Sequence, residues 1–259
     1  MRVLPRRLRH GEEASLVEHL EELRSRLIIC LIALAAAFVV TYTFHGRILH
    51  WLNQPLPADH RRPYTFSPIE PFTTSIWVAL WAAFLLALPI IFWQVWSFFA
   101  PAIEESHQRS MIVLAAFSGV LAFTGLAFGY WVLLPPAIHF LTSYDQAHYT
   151  IIIQARPYYR FVAFVLLGVA LAFEVPVFVL GLVRLRILSA ARLRRTWRMG
   201  LFIMVVIGVA LPGVDPISTI LSVIPLVLLY LLSIALASFL EPRWRANREA
   251  SRGPAPADG

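Results

Sequence analysis

Residues 161–183 read FVAFVLLGVALAFEVPVFVLGLV, an apolar run of 23 residues with a single charged side chain, Glu174. A transmembrane helix needs about 20 mostly apolar residues, so this run is long enough to cross a bilayer. The whole chain agrees, because 59% of its 259 residues are hydrophobic and only 14% are charged, about half the charged fraction of a soluble domain. The composition disfavours a water-soluble enzyme and a disordered chain, and it predicts an integral membrane protein.

Six apolar runs of this kind follow one another along the chain. We therefore predict an all-α integral membrane protein with six transmembrane helices, in which the fifth span, and with it the sixth, is allowed to be short. The fifth run has only about 13 residues, or roughly 20 Å of helix. The predicted spans are residues 27–44, 76–100, 111–134, 161–183, 199–211 and 217–240. The predicted domains are an N-terminal segment (1–26), the transmembrane domain (27–240) and a disordered tail (241–259).

The distribution of arginine predicts the orientation, since all 22 basic residues are arginine. Only five of them fall in the loops at 45–75 and 135–160, whereas the other 17 lie on the side that carries both termini. Positively charged loop residues are retained in the cytoplasm. Both termini, and therefore the N-terminal segment and the tail, are predicted to be cytoplasmic.

The N-terminal segment ends in SLVEHLEELRSRL (15–27), which has the pattern of an amphipathic helix. Ser15 and Glu18 form a capping box, leucines recur at helical spacing, and Glu22 lies one turn before Arg26, where the two side chains can pair. An ordinary helix on the membrane surface is one interpretation. Such helices favour basic polar faces, however, and an acidic face suits a cationic partner instead.

Two other places contain carboxylates that invite a functional interpretation. The loop PAIEESHQR (101–109) carries Glu104 and Glu105, either as part of a site or as a solvated connector. Glu174 lies about 20 Å from the outer end of its span, where a charged group is costly and by default functional. The alternative is a protonated carboxyl that is hydrogen-bonded to a neighbouring helix, and Pro176 would free a backbone carbonyl for either role.

Other motifs predict structural roles and no metal binding or catalysis. Asp215 before Pro216 is typical of a helix N-cap, and Ser67 with Glu70 forms a second capping box. The eight histidines show no metal-binding spacing, and Cys30 is the only cysteine, so we predict no metal site and no cofactor. The chain lacks a phosphate-binding loop and a GxSxG elbow, which disfavours ATP hydrolysis and serine hydrolysis.

With these motifs in place, the chain resembles the TatC family, the polytopic subunit of the twin-arginine protein translocase. The resemblance extends from residue 16 to about residue 240. The stretches that carry it are HLEELRSRL (19–27), QPL (54–56), SPIEPF (67–72), PIIFWQVWSFFAP (89–101), Pro135 with Phe140 and Leu141, FEVPV (173–177) and Pro212 with Asp215. Structural roles are expected for Pro55, Glu70, Pro89, Pro101, Pro135, Pro176 and Asp215.

The resemblance implies a receptor and not an enzyme. TatC-like proteins bind the twin-arginine signal peptides of folded cargo on the cytoplasmic face, and they recruit single-span TatA/TatB-type partners for export that the proton-motive force drives. It also implies a multi-pass location in a bacterial-type cytoplasmic (inner) membrane, self-association in a receptor complex and contact with membrane lipids. No nucleic-acid partner is expected.

The family's recognition carboxylate on the N-terminal helix falls on Glu22, with Arg24 as the adjacent motif arginine. Two consecutive guanidinium groups favour fixed carboxylates, because forked charge-assisted pairing is strong and selective. The second recognition carboxylate of the family falls on His107 here. Either Glu104 or, as the better substitute, Glu105 replaces it, or the protein recognises arginine with one carboxylate fewer.

Two further sets of residues follow from the resemblance. Phe98 and Arg109 are expected to line the signal-peptide site. Glu174 corresponds to the family's intramembrane glutamate, in a concave face that contacts partner helices, and Gln94 is grouped with it as an intramembrane polar residue. The chain has Trp77 where the family usually has lysine.

Two rival functions remain open on the residues alone. A proton-coupled small-solute transporter would use Glu174 as its protonatable carrier, but the chain shows no internal repeat and no other ionisable group in mid-membrane. A structural membrane scaffold would bind no ligand. Neither rival has a use for an acidic cytoplasmic helix, so dependence of cargo on Glu22 would separate a receptor from both.

Overall fold

The structure is a computed structural model that describes residues 16–99, 108–185, 187–210 and 216–252. In these ranges the chain forms ten α-helices, together with a 3-10 turn (Ala58–His60) and a π-helical segment (Gly129–Leu133). The helices are α1 (Leu16–Thr43), α2 (His45–Leu52), α3 (Glu70–Phe99), α4 (Gln108–Phe128), α5 (Leu134–Ser143), α6 (Ala155–Phe173), α7 (Val175–Arg184), α8 (Ala190–Arg195), α9 (Trp197–Ala210) and α10 (Pro216–Arg252).

The prediction of an all-α membrane protein is confirmed. Among the described residues, five helical stretches are long and apolar enough to cross a membrane, and α9 is apolar but shorter. With 14 residues, α9 extends only about 21 Å, less than the roughly 30 Å of a hydrocarbon core. The long stretches are Leu20–Thr43, Glu70–Phe98, Ala116–Ser143, Ala155–Arg184 and Thr219–Trp244.

Helices extend beyond the apolar runs in two places, at the ends of the sixth and the third spans. The sixth span is not short, since its apolar stretch has 26 residues. Its helix α10 continues to Arg252, so residues 241–252 of the tail that is predicted to be disordered are helical here, and their alanine, arginine and glutamate favour helix. Residues 253–259 lie outside the described residues. The third span likewise continues through the π-helical segment and α5, because Pro135 is tolerated in the first turn of a helix.

The chain divides into two compact units, of which the first comprises residues 1–49 and 75–119. In this unit α1 packs on α3 through small side chains, the buried Ala37, Ala83 and Ala87. Small residues let two membrane helices approach closely, so that polar groups reach across. Thr41 uses this proximity, and its Oγ1 donates a hydrogen bond of 2.8 Å to the Ala79 carbonyl.

The second unit comprises residues 50–74 and 120–259. Its helices α9 and α10 are in close contact, since a Cβ atom on Gly200 would lie 1.9 Å from the Tyr230 hydroxyl oxygen. Further along α10, the Glu241 carboxylate accepts a hydrogen bond of 2.6 Å from the backbone N–H of Ala190. The buried Arg184 lies 4.9 Å from the centre of the Trp244 ring.

Candidate functional site

The first candidate site lies near the start of α1, in the first unit. Glu22 and Arg26 are one helical turn apart, and the Arg26 guanidinium donates two hydrogen bonds to Glu22 Oε1, from Nε at 3.1 Å and from Nη2 at 2.5 Å. Both side chains are 20% exposed. The predicted pairing of these two residues is confirmed, and it holds the carboxylate in one orientation at a partly desolvated position.

Gln94 of α3 completes this cluster. Its Oε1 accepts a hydrogen bond of 3.4 Å from Nη1 of Arg26, so a single guanidinium links the two helices. The structure therefore places Gln94 with Arg26, whereas the resemblance groups it with Glu174. Phe98 follows Gln94 by one turn on the same face of α3, and it is half-buried.

The other residues predicted for the signal-peptide site are Arg24, Arg109 and those of the loop after α3. Arg24 is exposed, and two residues along a helix turn its side chain away from the face of Glu22. Arg109 belongs to the first turn of α4, but only its backbone is described. The loop residues Pro101, Glu104, Glu105 and His107 lie outside the described residues. The predicted grouping of Glu22 with a second carboxylate thus remains a prediction.

The arrangement at Glu22 is suited to binding a guanidinium. A carboxylate with reduced hydration makes stronger charge-assisted hydrogen bonds than one on an open surface. Glu21 is exposed beside it, which adds negative charge at this part of α1. Since both bonds from Arg26 end on Oε1, the second carboxylate oxygen takes no part in that pair.

The second candidate site is Glu174, which lies between α6 and α7 in the second unit. Its side chain is completely buried, and its backbone ends α6 and begins α7. Pro176 is buried in the first turn of α7, and its ring and missing N–H account for the interruption of the helix. The burial of Glu174 means that the carboxyl itself offers no surface to a partner helix here.

Glu70 contacts the loop before α3, although not with the geometry of the predicted capping box, in which its carboxylate would bind the backbone N–H of Ser67. It begins α3, its Oε2 accepts a hydrogen bond of 2.9 Å from the backbone N–H of Phe66, and its Oε1 accepts one of 3.1 Å from Gln154 Nε2. Pro55 lies inside a turn that the N–H of Leu56 closes on the carbonyl of Asn53, at 3.2 Å. These contacts order the loop that precedes α3.

Pro89 lies within α3 without ending it, and Asp215 lies outside the described residues.

Sequence reasoning missed three tyrosine hydroxyl groups that donate hydrogen bonds at the end of α2. They are donated by Tyr130 to the Trp51 carbonyl (2.7 Å), by Tyr158 to the Leu52 carbonyl (2.5 Å) and by Tyr159 to Asn53 Oδ1 (2.9 Å). Tyr158 and Tyr159 are adjacent, but nothing in local spacing indicates acceptors about a hundred residues away.

Comparison with known proteins gives consistent matches across most of the chain. A family model described as "Sec-independent protein translocase protein (TatC)" matches residues 18–225. The protein of that name from Deinococcus radiodurans is 33% identical over 233 residues, which cover 86% of each chain. The one from Koribacter versatilis is 32% identical over 258 residues, covering 95% of this chain and 94% of the relative.

A solved structure is also similar to this chain. It is described as the twin arginine translocase receptor TatC in DDM, and it matches with a TM-score of 0.73 at 31% sequence identity. The match covers 85% of this chain and 99% of the solved one. The similarity therefore extends to the fold as well as to the sequence.

Proposed function

Because the chain belongs to the TatC family, we propose that it is a receptor subunit of the twin-arginine translocase and that Glu22 binds an arginine of the signal peptide. The observation that carries this proposal is the pairing of Glu22 with the Arg26 guanidinium, through hydrogen bonds of 3.1 and 2.5 Å. The position already accommodates the chemical group that the receptor would recognise. A lysine would make a single-point contact there, which is weaker and less selective.

The second arginine of the signal needs a second acceptor. Glu105, or Glu104 beside it, supplies that carboxylate from the loop after α3, in place of the family glutamate that is His107 here. Phe98 forms an apolar wall at the end of α3, and Arg109 borders the site. Arg24 lies on another face of α1 and contributes positive charge nearby without contacting the Glu22 carboxylate. This part of the proposal is supported by the sequence resemblance and by the position of Phe98 one turn after Gln94.

The wider role follows from family membership. The protein acts without catalysis in a bacterial-type cytoplasmic membrane, where it assembles with single-span TatA/TatB-type partners and with further copies of itself. Export draws on the proton-motive force. Glu174 is buried at the break that Pro176 causes between α6 and α7, so the side chains around that break make the partner contacts.

Binding of a synthetic signal peptide to the full chain in lipid nanodiscs tests the proposal. We expect a twin-arginine peptide to bind more tightly than its twin-lysine version, and Glu22→Gln to weaken the arginine peptide about ten-fold or more, the value of one charge-assisted pair. Glu21→Gln is the matched control, since it removes the same charge from an exposed neighbour. It should change the affinity less than about two-fold.

The double variant Glu104→Gln/Glu105→Gln tests the loop. A further loss of affinity for the arginine peptide is expected if a loop carboxylate holds the second arginine. Equal binding of the two peptides, with Glu22→Gln indistinguishable from Glu21→Gln, would contradict the receptor site at Glu22.

A further inference from the structure

Arg26 uses all three nitrogen atoms of its guanidinium inside the candidate site. Nε and Nη2 bind Oε1 of Glu22 at 3.1 and 2.5 Å, and Nη1 binds Oε1 of Gln94 at 3.4 Å. The side chains of Arg26 and Glu22 are equally shielded, each 20% exposed. The carboxylate proposed to receive an arginine is thus occupied by an arginine of the protein itself.

An incoming arginine competes with this arrangement. Forked pairing with a guanidinium engages both oxygens of a carboxylate, and Arg26 holds one of them. If the new arginine approached the other oxygen alone, two positive charges would share one carboxylate at close range, which is unfavourable. On either path, binding at Glu22 is tighter once Arg26 has left.

We propose that Arg26 is an internal ligand of Glu22, which an arginine of the signal peptide must displace and which thereby lowers the affinity of the receptor for that peptide. This inference rests on the proposed function. The internal pair is well suited to exchange, because ion pairs one turn apart on a helix are weak and a hydrogen bond of 3.4 Å is long. Gln94 remains as a partner for Arg26 after displacement, so the released guanidinium is not left buried without an acceptor.

Competition between Arg26 and the peptide for Glu22 predicts how the loss of Arg26 changes the affinities for the two peptides. An internal ligand divides the affinity of every ligand for Glu22 by the same factor, so its removal tightens arginine and lysine peptides equally. Their ratio stays the same. Arg26 therefore sets the threshold of affinity that a signal must pass, while the geometry of the carboxylate sets the preference for arginine.

The alternative is that Arg26 orients Glu22 and so favours binding of the peptide. If Arg26 served to orient Glu22 for the peptide, its loss would free the carboxylate to rotate and would weaken binding. The two roles predict changes of opposite sign for the same substitution.

The experiment is a titration of the full chain in nanodiscs with the twin-arginine and twin-lysine peptides. Arg26→Gln should tighten both by about two- to five-fold, the range expected for a partly buried pair of this kind, with an unchanged ratio. Arg26→Lys should tighten both by less, because it keeps the charge but loses the fork. Arg47→Gln is the control, since it removes one positive charge from an exposed position in α2.

Two results would overturn the inference while leaving the receptor site intact. One is weaker or unchanged binding in Arg26→Gln while wild-type binding still depends on Glu22. The other is tightening in Arg26→Gln with Arg26→Lys at the wild-type value, which would assign the effect to charge alone. Wild-type binding that does not depend on Glu22 would instead overturn the proposed function, and the inference with it.

Discussion

At the scale of single residues, the guanidinium of Arg26 joins α1 to α3 through its hydrogen bond to Gln94. The four-residue interval between Glu22 and Arg26 predicts their pairing, because side chains one turn apart face each other. The bond from Arg26 to Gln94 joins residues 68 positions apart, and only the packing of α1 on α3 brings them together. The same limit applies to the three tyrosine hydroxyls at the end of α2.

Thr41 and Thr43 offer a matched test of such a long-range bond. Thr41 Oγ1 donates to the Ala79 carbonyl at 2.8 Å, whereas Thr43 Oγ1 is exposed and donates to Val39 of its own helix. We predict that Thr41→Val lowers the free energy of unfolding by about 0.6 kcal/mol, and at most about 1.7 kcal/mol, the range for interhelical hydrogen bonds in membranes. Thr43→Val should leave it nearly unchanged. Reversible unfolding in mixed micelles measures both, and equal effects would contradict the prediction.

At the scale of elements, apolar runs locate the spans but not the ends of the helices. The six predicted runs all correspond to helices, and the interruption at Pro176 occurs where the proline ring requires it. An apolar run ends where the side chains leave the lipid, however, whereas a helix continues as long as its backbone groups are hydrogen-bonded. For that reason the polar end of α10 and the whole of α5 were not predicted.

Gly200 tests the contact between α9 and α10. A methyl group there would lie 1.9 Å from the hydroxyl oxygen and 2.1 Å from Cζ of Tyr230, so either the Tyr230 ring or one of the two helices must shift. We predict that Gly200→Ala destabilises the chain by about 1–3 kcal/mol, as overpacking does, and that Tyr230→Leu added to it restores part of the loss. Thermal unfolding in detergent measures the change.

Gly46→Ala is the control for that series, since nothing lies within 4 Å of a methyl group at this position. It should leave the stability unchanged or raise it by less than about 1 kcal/mol, because alanine favours helix over glycine. An equal loss in Gly46→Ala and Gly200→Ala would show that the effect does not come from Tyr230.

At the scale of the whole molecule, the distribution of arginine along the chain predicts the orientation in the membrane. Seventeen of the 22 arginines are predicted on one side of the membrane, a pattern that predicts a cytoplasmic position for Glu22 and for the loop after α3. The helix α9, with 14 residues, is the only apolar span among the described residues that is too short for a bilayer of ordinary thickness.

Single-cysteine labelling tests that orientation, because Cys30 is the only cysteine. In a Cys30→Ser background, we predict that Ala147→Cys reacts with a membrane-impermeant maleimide in intact spheroplasts. Ala250→Cys should react only after the membrane is permeabilised. The reverse pattern would place the acidic helix outside and would rule out recognition of a cytoplasmic signal at Glu22.

The central claim is that the Glu22 carboxylate contacts an arginine of the signal peptide, and a double-mutant cycle tests it most directly. The affinities of the wild-type chain and of Glu22→Gln are measured in nanodiscs. Each is titrated with the twin-arginine peptide and with two peptides in which one or the other arginine is replaced by glutamine. We predict a coupling energy above about 1 kcal/mol for one of the two arginines, because each partner is then worth little without the other. A coupling below about 0.5 kcal/mol for both arginines, the scatter of independent sites, would contradict the account.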